Sequence, residues 1–312
     1  MEQWHSNFIE LMFGKNRTPE TMSKAAEIKY VHMPEALFKF RCFSEKTISA
    51  LKNDCLFSSS ADYLNDIREA PIMMLSDKLK QRALQKAYDN ARKNNSRLPE
   101  AKIKDVYDLA AQFHSLHIKE YGDQSFPFPT PGAEVVIDTI VEFVNDTSNK
   151  LLARELQNIR NMYNVCCFST SLDEDLMWSH YADGHKGFCI EYDFKSFGVL
   201  DERVQLLFPV IYQDLPLIEI DDPKDADGSL AMFALTLKEK KWEYEQEWRS
   251  FYLHSENPKP EPMPKPEAIY LGVRCSDKDR DQMIEVCREK KIHLFQMYST
   301  NLFSTLNPVS IL

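Results

Sequence analysis

The chain has 312 residues, 43% of them hydrophobic and 28% charged, with a formal net charge of −10. That composition describes a globular protein able to bury a substantial core, and its negative balance disfavours broad binding to nucleic-acid backbones or anionic membranes. No apolar run approaches the roughly 18 residues of a membrane span, and the first residues lack the basic and apolar regions of a signal peptide, so a cytoplasmic setting is expected. The seven cysteines are scattered and never spaced as C-x-x-C, which predicts reduced thiols and no disulfide or zinc framework. Only 8 glycines occur, with no G-x-G-x-x-G or Walker pattern, which sets aside the commonest dinucleotide and NTP loops.

In chain order, residues 1–13 predict a weakly amphipathic helix or an arm against the body. Leu37-Phe38-Lys39-Phe40-Arg41 alternates as a strand does, with Lys39 and Arg41 on one face and Phe38 and Phe40 on the other. Ser44 is placed to cap a helix running to Lys52. Residues 55–58 read as a strand and 58–69 as a polar loop. From about 76 to 160 the period turns helical, over 76–95, 101–122 and 132–163, with proline-rich 125–132 before the last. This predicts a helical insertion within a single α+β domain spanning 1–312. His114 and His117 stand at i and i+3 on the middle helix with only Glu120 beside them, which fits a plain helix surface.

The densest concentration of site-type chemistry is 165–194, VCCFSTSLDEDLMWSHYADGHKGFCIEYDF. Residues 165–169 read as a buried strand. Ser171-Leu172-Asp173-Glu174 matches the S-x-x-E capping box, with Ser171 as N-cap. Leu176, Met177, Trp178 and Tyr181 give the short helix its buried side, and Gly184 supplies a left-handed stop. Phe188, Ile190 and Tyr192 alternate with Cys189, Glu191 and Asp193, as in a half-buried strand. Beyond it, 204–212 predicts a strand, 230–240 a helix, 248–254 a strand and 255–267 an exposed proline-rich loop. A strand at 268–273, a helix at 277–291 and a strand at 293–299 close the chain. The whole predicts an α+β protein with a mixed, mostly antiparallel sheet and flanking helices.

Four segments resemble a bacterial family, the domain of unknown function 2971 family: LFKFR, LFSSSADYLND, CFSTSLDEDLMWSHYADGHKGFCIEY, and WEYEQEWRSF followed by AIYLG. Together they span roughly residues 35–275, with the helical region as the variable middle. Asn65-Asp66 departs from the family pattern, since Ile67 stands where a proline usually follows. The resemblance fixes relatives and leaves the activity open.

A further resemblance is to ADP-ribosyltransferases of the arginine, serine-threonine-serine, glutamate type, a possible toxin or defence role among them. It implies NAD as the bound molecule, with Arg41 on its phosphates and Ser169 of Ser169-Thr170-Ser171 supporting the ribose. It further implies Glu247 of Glu245-Gln246-Glu247 as the catalytic carboxylate, with Glu245 its runner-up. A guanidinium suits a pyrophosphate, and a carboxylate suits a positively charged ribose as nicotinamide leaves. Trp178, His180, Tyr181 and His185 are expected to line the pocket, over a basic floor of Lys39, Arg41, Lys186 and Arg249. Such a floor fits a small anionic ligand, and no metal is expected; the acceptor, protein or nucleotide, is open. Two alternatives stand beside this reading. His180, Asp183, His185 and Glu191 are all metal-competent and could serve a metal-assisted hydrolase. The stretch could equally be a structural keystone in a module that binds a small ligand or a protein.

Overall fold

Alternation in Leu37–Arg41 places Leu37 and Lys39 on one side of a strand and Phe38 and Phe40 on the other. In the computed structural model this strand lies in the middle of a nine-stranded sheet. The structure describes residues 3–66, 72–74, 76–94, 96–105, 107–109, 111–112, 150, 153–154, 157–214, 216, 218–220, 227–255, 260–299 and 306–312. Among these the sheet runs Leu306–Ser310, His293–Ser299, Ala268–Leu271, Phe188–Tyr192, Leu37–Arg41, Tyr163–Ser169, Glu247–Leu253 and Leu207–Pro209. The ninth strand, Ser59–Ser60, pairs onto Tyr163–Ser169. All its pairings are antiparallel except Ala268–Leu271 with His293–Ser299, where the helix Asp277–Lys290 supplies the crossover that parallel strands require. This is the mixed, mostly antiparallel α+β architecture that the sequence predicts.

One register irregularity shapes the centre. Leu37–Arg41 pairs with Phe188–Tyr192 at five positions but meets Tyr163–Ser169 only at Phe38↔Ser169. Tyr163–Ser169 is meanwhile paired along seven residues with Glu247–Leu253. The two central strands therefore diverge from that single contact, and the sheet is open between Lys39–Arg41 and 165–168. The Lys39 ammonium donates to the Cys167 carbonyl at 2.5 Å across the gap, taking the place of a ladder bond for a backbone group that must have a partner.

Apolar side chains cover both faces. Leu37, Phe168, Ile190, Tyr192 and Trp248 belong to one cluster, into which the helix Asp277–Lys290 packs Met283, Val286 and Cys287. Phe40, Met177, Trp178, Cys189 and Tyr270 form a second on the opposite face. Phe188–Tyr192 is thus buried on both sides, not half-buried as its alternation predicts; Cys189 and Ile190 face different clusters. Two further boundaries differ. Asp201 accepts from the Arg203 amide and starts a helical turn, Glu202–Gln205, so the strand expected over 204–212 becomes that turn and two short strands, Leu207–Pro209 and Ile211–Gln213. The helix expected over 230–240 stops at Ala234, and Leu237–Glu239 pairs as a strand with Ile211–Gln213. In the proline-rich segment, Glu261–Pro262 pairs with Cys55–Leu56 and Met263 enters the core, so its second half is packed, not free.

The chain divides into two compact units. The first, Met1–Pro71, Arg160–Pro216 and Gly228–Leu312, holds the large sheet. The second, Ile72–Ile159 and Leu217–Asp227, contains the helix Ser76–Asn94 at the place its periodicity predicts, and a parallel pair of Ile72–Met74 with Ile218–Ile220. Most of the helices expected over 101–122 and 132–163, with His114 and His117, lies outside the described residues. All seven cysteines are free thiols, and among the described residues no helix is long and apolar enough to cross a membrane.

Lys29, on the helix Pro19–His32, is 1% exposed and donates to the Val204 and Gln205 carbonyls at 2.8 Å each, with the Phe208 ring 4.3 Å away. Burial pulls its pKa down to about 7, below the unfolded value of about 10.4. Between those values the unfolded chain holds the extra proton, so this group makes stability rise with pH. The neutral amine keeps two N–H donors for its two carbonyls. Urea midpoints measured from pH 7 to 9.5 should rise more steeply in the wild type than in Lys29→Met. The difference should approach about 1.4 kcal/mol per pH unit just above neutrality, and equal slopes would refute the assignment.

Candidate active site in the open sheet

The gap between the two central strands is the mouth of a cavity of about 400 Å³. Because the strands part, side chains from both faces of the sheet reach it. Lys39 and Arg41 come from one face, with Lys46 and Thr47 on the first turn of the following helix, Glu45–Lys52. Ser44 caps that helix as predicted, with its Oγ accepting from the Thr47 amide at 3.1 Å. Ser169, Tyr181, Lys238, Glu245, Glu247 and Arg249 come from the other face.

The second group is a buried polar network. Arg249 is fully buried and holds Glu247 through two bonds, Nε to Oε1 at 2.9 Å and a terminal nitrogen to Oε2 at 2.8 Å. Lys238 bridges the two carboxylates, 2.5 Å from Glu245 Oε2 and 3.1 Å from Glu247 Oε2. Tyr181 donates to Glu245 Oε1 at 2.6 Å and accepts from Asn65 Nδ2 at 2.9 Å. Burial would raise the pKa of Glu247, but the charges of Arg249 and Lys238 more than offset it and hold the carboxyl well below its usual range. Glu245 moves the other way: burial and the Glu247 charge raise its pKa against the pull of Lys238. Two neighbouring carboxylates pushed apart in this manner take different tasks. Glu247 is a fixed anion inside an ion pair, and Glu245 is held by Lys238 and the Tyr181 hydroxyl; both line the cavity.

Local geometry explains how the helix Asp175–Tyr181 delivers Tyr181. The expected capping box at Ser171 does not form. Ser171 Oγ bonds to Asp173 Oδ1 at 3.0 Å, and Glu174 is the N-cap, accepting from the Leu176 amide at 3.2 Å. The reason is Ser169, whose Oγ accepts from the Ser171 amide at 3.0 Å and turns the chain early. At the other end, Asp183, Gly184 and His185 all have positive φ, a longer left-handed turn than the single glycine stop predicted. Gly187 lies where a Cβ would collide with the Arg41 carbonyl, so its missing side chain lets the turn seat against the end of the central strand.

Of the residues the sequence nominates, Arg41, Ser169, Tyr181, Glu245 and Glu247 line the same cavity. Three others stand apart from it. Trp178 is fully buried, donates from its indole nitrogen to the Leu172 carbonyl at 2.7 Å, and packs edge-on against Phe40. His180 is exposed. His185 stacks on Trp178 and meets Ser179 Oγ at 3.2 Å, while its carbonyl accepts from the Arg274 amide; it closes a turn. Lys186, expected in the basic floor, is an exposed partner of Asp183 at 3.9 Å. His180, Asp183, His185 and Glu191 do not converge: Glu191 accepts from the Tyr270 hydroxyl at 2.5 Å. Among the described residues no group of three or more His, Cys, Asp or Glu side chains is arranged to hold a metal. Sequence reasoning missed Lys238, Lys46 and Asn65. The alternation Leu237-Lys238-Glu239 was the available signal for Lys238, hidden by the helical reading of 230–240.

Removing Lys238 leaves Glu245 and Glu247 facing each other without their shared cation. Lys238→Met should therefore lose about 3–5 kcal/mol of stability in urea unfolding, and adding Glu245→Gln should restore part of it. A loss below about 1 kcal/mol would show that the bridge carries little.

No curated protein and no solved structure matches the chain. Residues 177–250, the segment that supplies Tyr181, Lys238, Glu245, Glu247 and Arg249 to the cavity, match the model of a family described as Protein of unknown function (DUF2971).

Proposed function

We propose that this chain is an ADP-ribosyltransferase-like enzyme that uses the open-sheet cavity to cleave the nicotinamide–ribose bond of NAD, with Glu245 as its catalytic carboxylate. The observation that carries the reading is that Arg41, Ser169 and Glu245, far apart in sequence, line one cavity in the order the resemblance requires. The geometry favours Glu245 over Glu247, because Glu247 is tied to two cations, with Arg249 on both its oxygens, whereas Glu245 shares only Lys238 and takes its other bond from the neutral Tyr181 hydroxyl.

Bound NAD would supply a ribose with a leaving group and two phosphates. Arg41 offers a planar set of donors matched to a phosphate. Ser169 shapes the strand exit through its bond to the Ser171 amide. The Glu245 carboxylate, held by Tyr181 and Lys238, is aimed to stabilise positive charge developing on the ribose. Only its ionised form does so. Since its pKa is raised, activity should fall on the acid side at a higher pH than an ordinary glutamate would give.

The test is nicotinamide release from NAD by the purified protein. Glu245→Gln keeps the side-chain shape and should lower the rate by about 10²–10³, and Arg41→Ala should raise KM. If Glu245→Gln retains its rate while Glu247→Gln loses it, Glu247 is the carboxylate instead. If the wild type releases no nicotinamide with any acceptor offered, the transferase reading is wrong.

A further inference from the structure

We propose that Asn65 is a positioning residue: it fixes the direction of the Tyr181 hydroxyl and so holds the Glu245 carboxylate in place. The inference rests on the transferase reading only in calling Glu245 the working carboxylate. Its basis is the polarity of a three-member chain. Asn65 Nδ2 donates to the Tyr181 hydroxyl at 2.9 Å, and that hydroxyl donates to Glu245 Oε1 at 2.6 Å. An ionised carboxylate only accepts, so the single phenolic proton belongs to Glu245. The Tyr181 oxygen is left as an acceptor, and the amide nitrogen of Asn65 fills that role. Turned the other way, the amide oxygen would compete with Glu245 for the same proton. Hydrogen bonds running in one direction strengthen one another, so Asn65 acts on the carboxylate without touching it.

The surroundings of Asn65 point the same way. Its side chain is exposed, and among the described residues Tyr181 is its hydrogen-bond partner. Packing falls to its neighbours instead: Ala61 is 1% exposed and Asp66 5%. The turn Ala61–Tyr63 follows directly on Ser59–Ser60, which pairs with Val165 and Asn164. An anchored segment thus carries Asn65 to the helix that bears Tyr181, and Asn65, Tyr181 and Glu245 all line the cavity. An exposed amide with a single directional bond contributes little to a core.

Glu245 faces Lys238 from Leu237–Glu239, Glu247 from Glu247–Leu253, Tyr181 from Asp175–Tyr181 and Tyr212 from Ile211–Gln213, with Tyr244 beside it in the chain. Of these, Asn65 bonds to Tyr181, whose own bond favours the ionised form of Glu245. Weakening that bond should make Glu245 hold its proton more tightly. The experiment is a carbon-13 titration of the Glu245 carboxyl in the full chain, assigned with Glu245→Gln, which needs no substrate. Asn65→Leu removes the donor at similar volume and should tighten proton binding about twofold. Asn65→Asp presents only acceptors to the phenol and should tighten it about tenfold. In a Tyr181→Phe background, Asn65→Leu should change nothing, and Asn65→Asp should keep only the direct effect of its charge.

The positioning role is overturned if Asn65→Leu leaves the Glu245 titration unmoved, or moves it equally in the Tyr181→Phe background. A lower Tm with an unmoved titration would make Asn65 a pin for its turn and overturn the role as well. A tighter proton means that the ionised form is lost at higher pH, so the acid limb of nicotinamide release should move to higher pH in Asn65→Asp. A moved titration in a protein that releases no nicotinamide would keep the positioning role and remove the transferase. Nicotinamide release with the same acid limb in wild type and Asn65→Asp would do the reverse.

Discussion

A β-sheet is held by its ladder, and the central fact of this one is that the ladder fails in the middle. From the single pair Phe38↔Ser169 the two inner strands separate, while each keeps a full set of bonds to its outer neighbour. Backbone groups exposed by such a split need other partners. Ser59–Ser60 takes Asn164 and Val165, and the Lys39 ammonium takes the Cys167 carbonyl. The opening is thus lined by side chains of both faces, a combination that an unbroken sheet would keep about one sheet thickness apart. The chemistry of the cavity depends on that geometry, because Lys39 and Arg41 of one face and the carboxylates of the other share it only through the gap.

The two groups are built on different electrostatic terms. Lys238, Glu245, Glu247 and Arg249 are nearly or fully buried, balanced two against two, and joined by hydrogen bonds of 2.5–3.1 Å. Charges at that depth persist only when paired and bonded. The pairing is uneven: Glu247 has a guanidinium to itself and half an ammonium, and Glu245 has the other half and a phenol. Burial and the Glu247 charge push the Glu245 pKa up, while Arg249 and Lys238 overcome burial and hold Glu247 below the usual carboxylate range. That asymmetry distinguishes two carboxyls that spacing alone cannot tell apart.

Much of this was legible in the sequence, and the failures have physical causes. Period-two alternation located Leu37–Arg41 and Glu247–Leu253, and Ser44 announced its helix. Alternation states which residues share a face, not whether the other face is covered, so Phe188–Tyr192 read as half-buried although packing from both sides buries it. The S-x-x-E pattern at Ser171 is a local signal, and a local competitor overrode it when Ser169 claimed the Ser171 amide. Trp178 and His185 looked like site residues because their types are versatile. Only tertiary contacts reveal that the tryptophan is core and the histidine closes a turn. The divergence of two strands leaves no mark on composition or period, so the split that opens the cavity could not be read.

The same limit applies to Arg41, Ser169 and Glu245, whose meeting in one cavity only the structure shows. In sequence each is a common residue in a common setting, and their order could arise by chance. In space Arg41 belongs to one strand of the split and Ser169 to the other, and Glu245 sits just before the strand paired to Ser169 through Glu247. Those positions are not independent: a register shift of one residue in either strand would turn Arg41 or Glu247 to the opposite face and dissolve the arrangement. The fixed register, the Gly187 seat under the Arg41 carbonyl and the ion pair that immobilises Glu247 all hold the three in place.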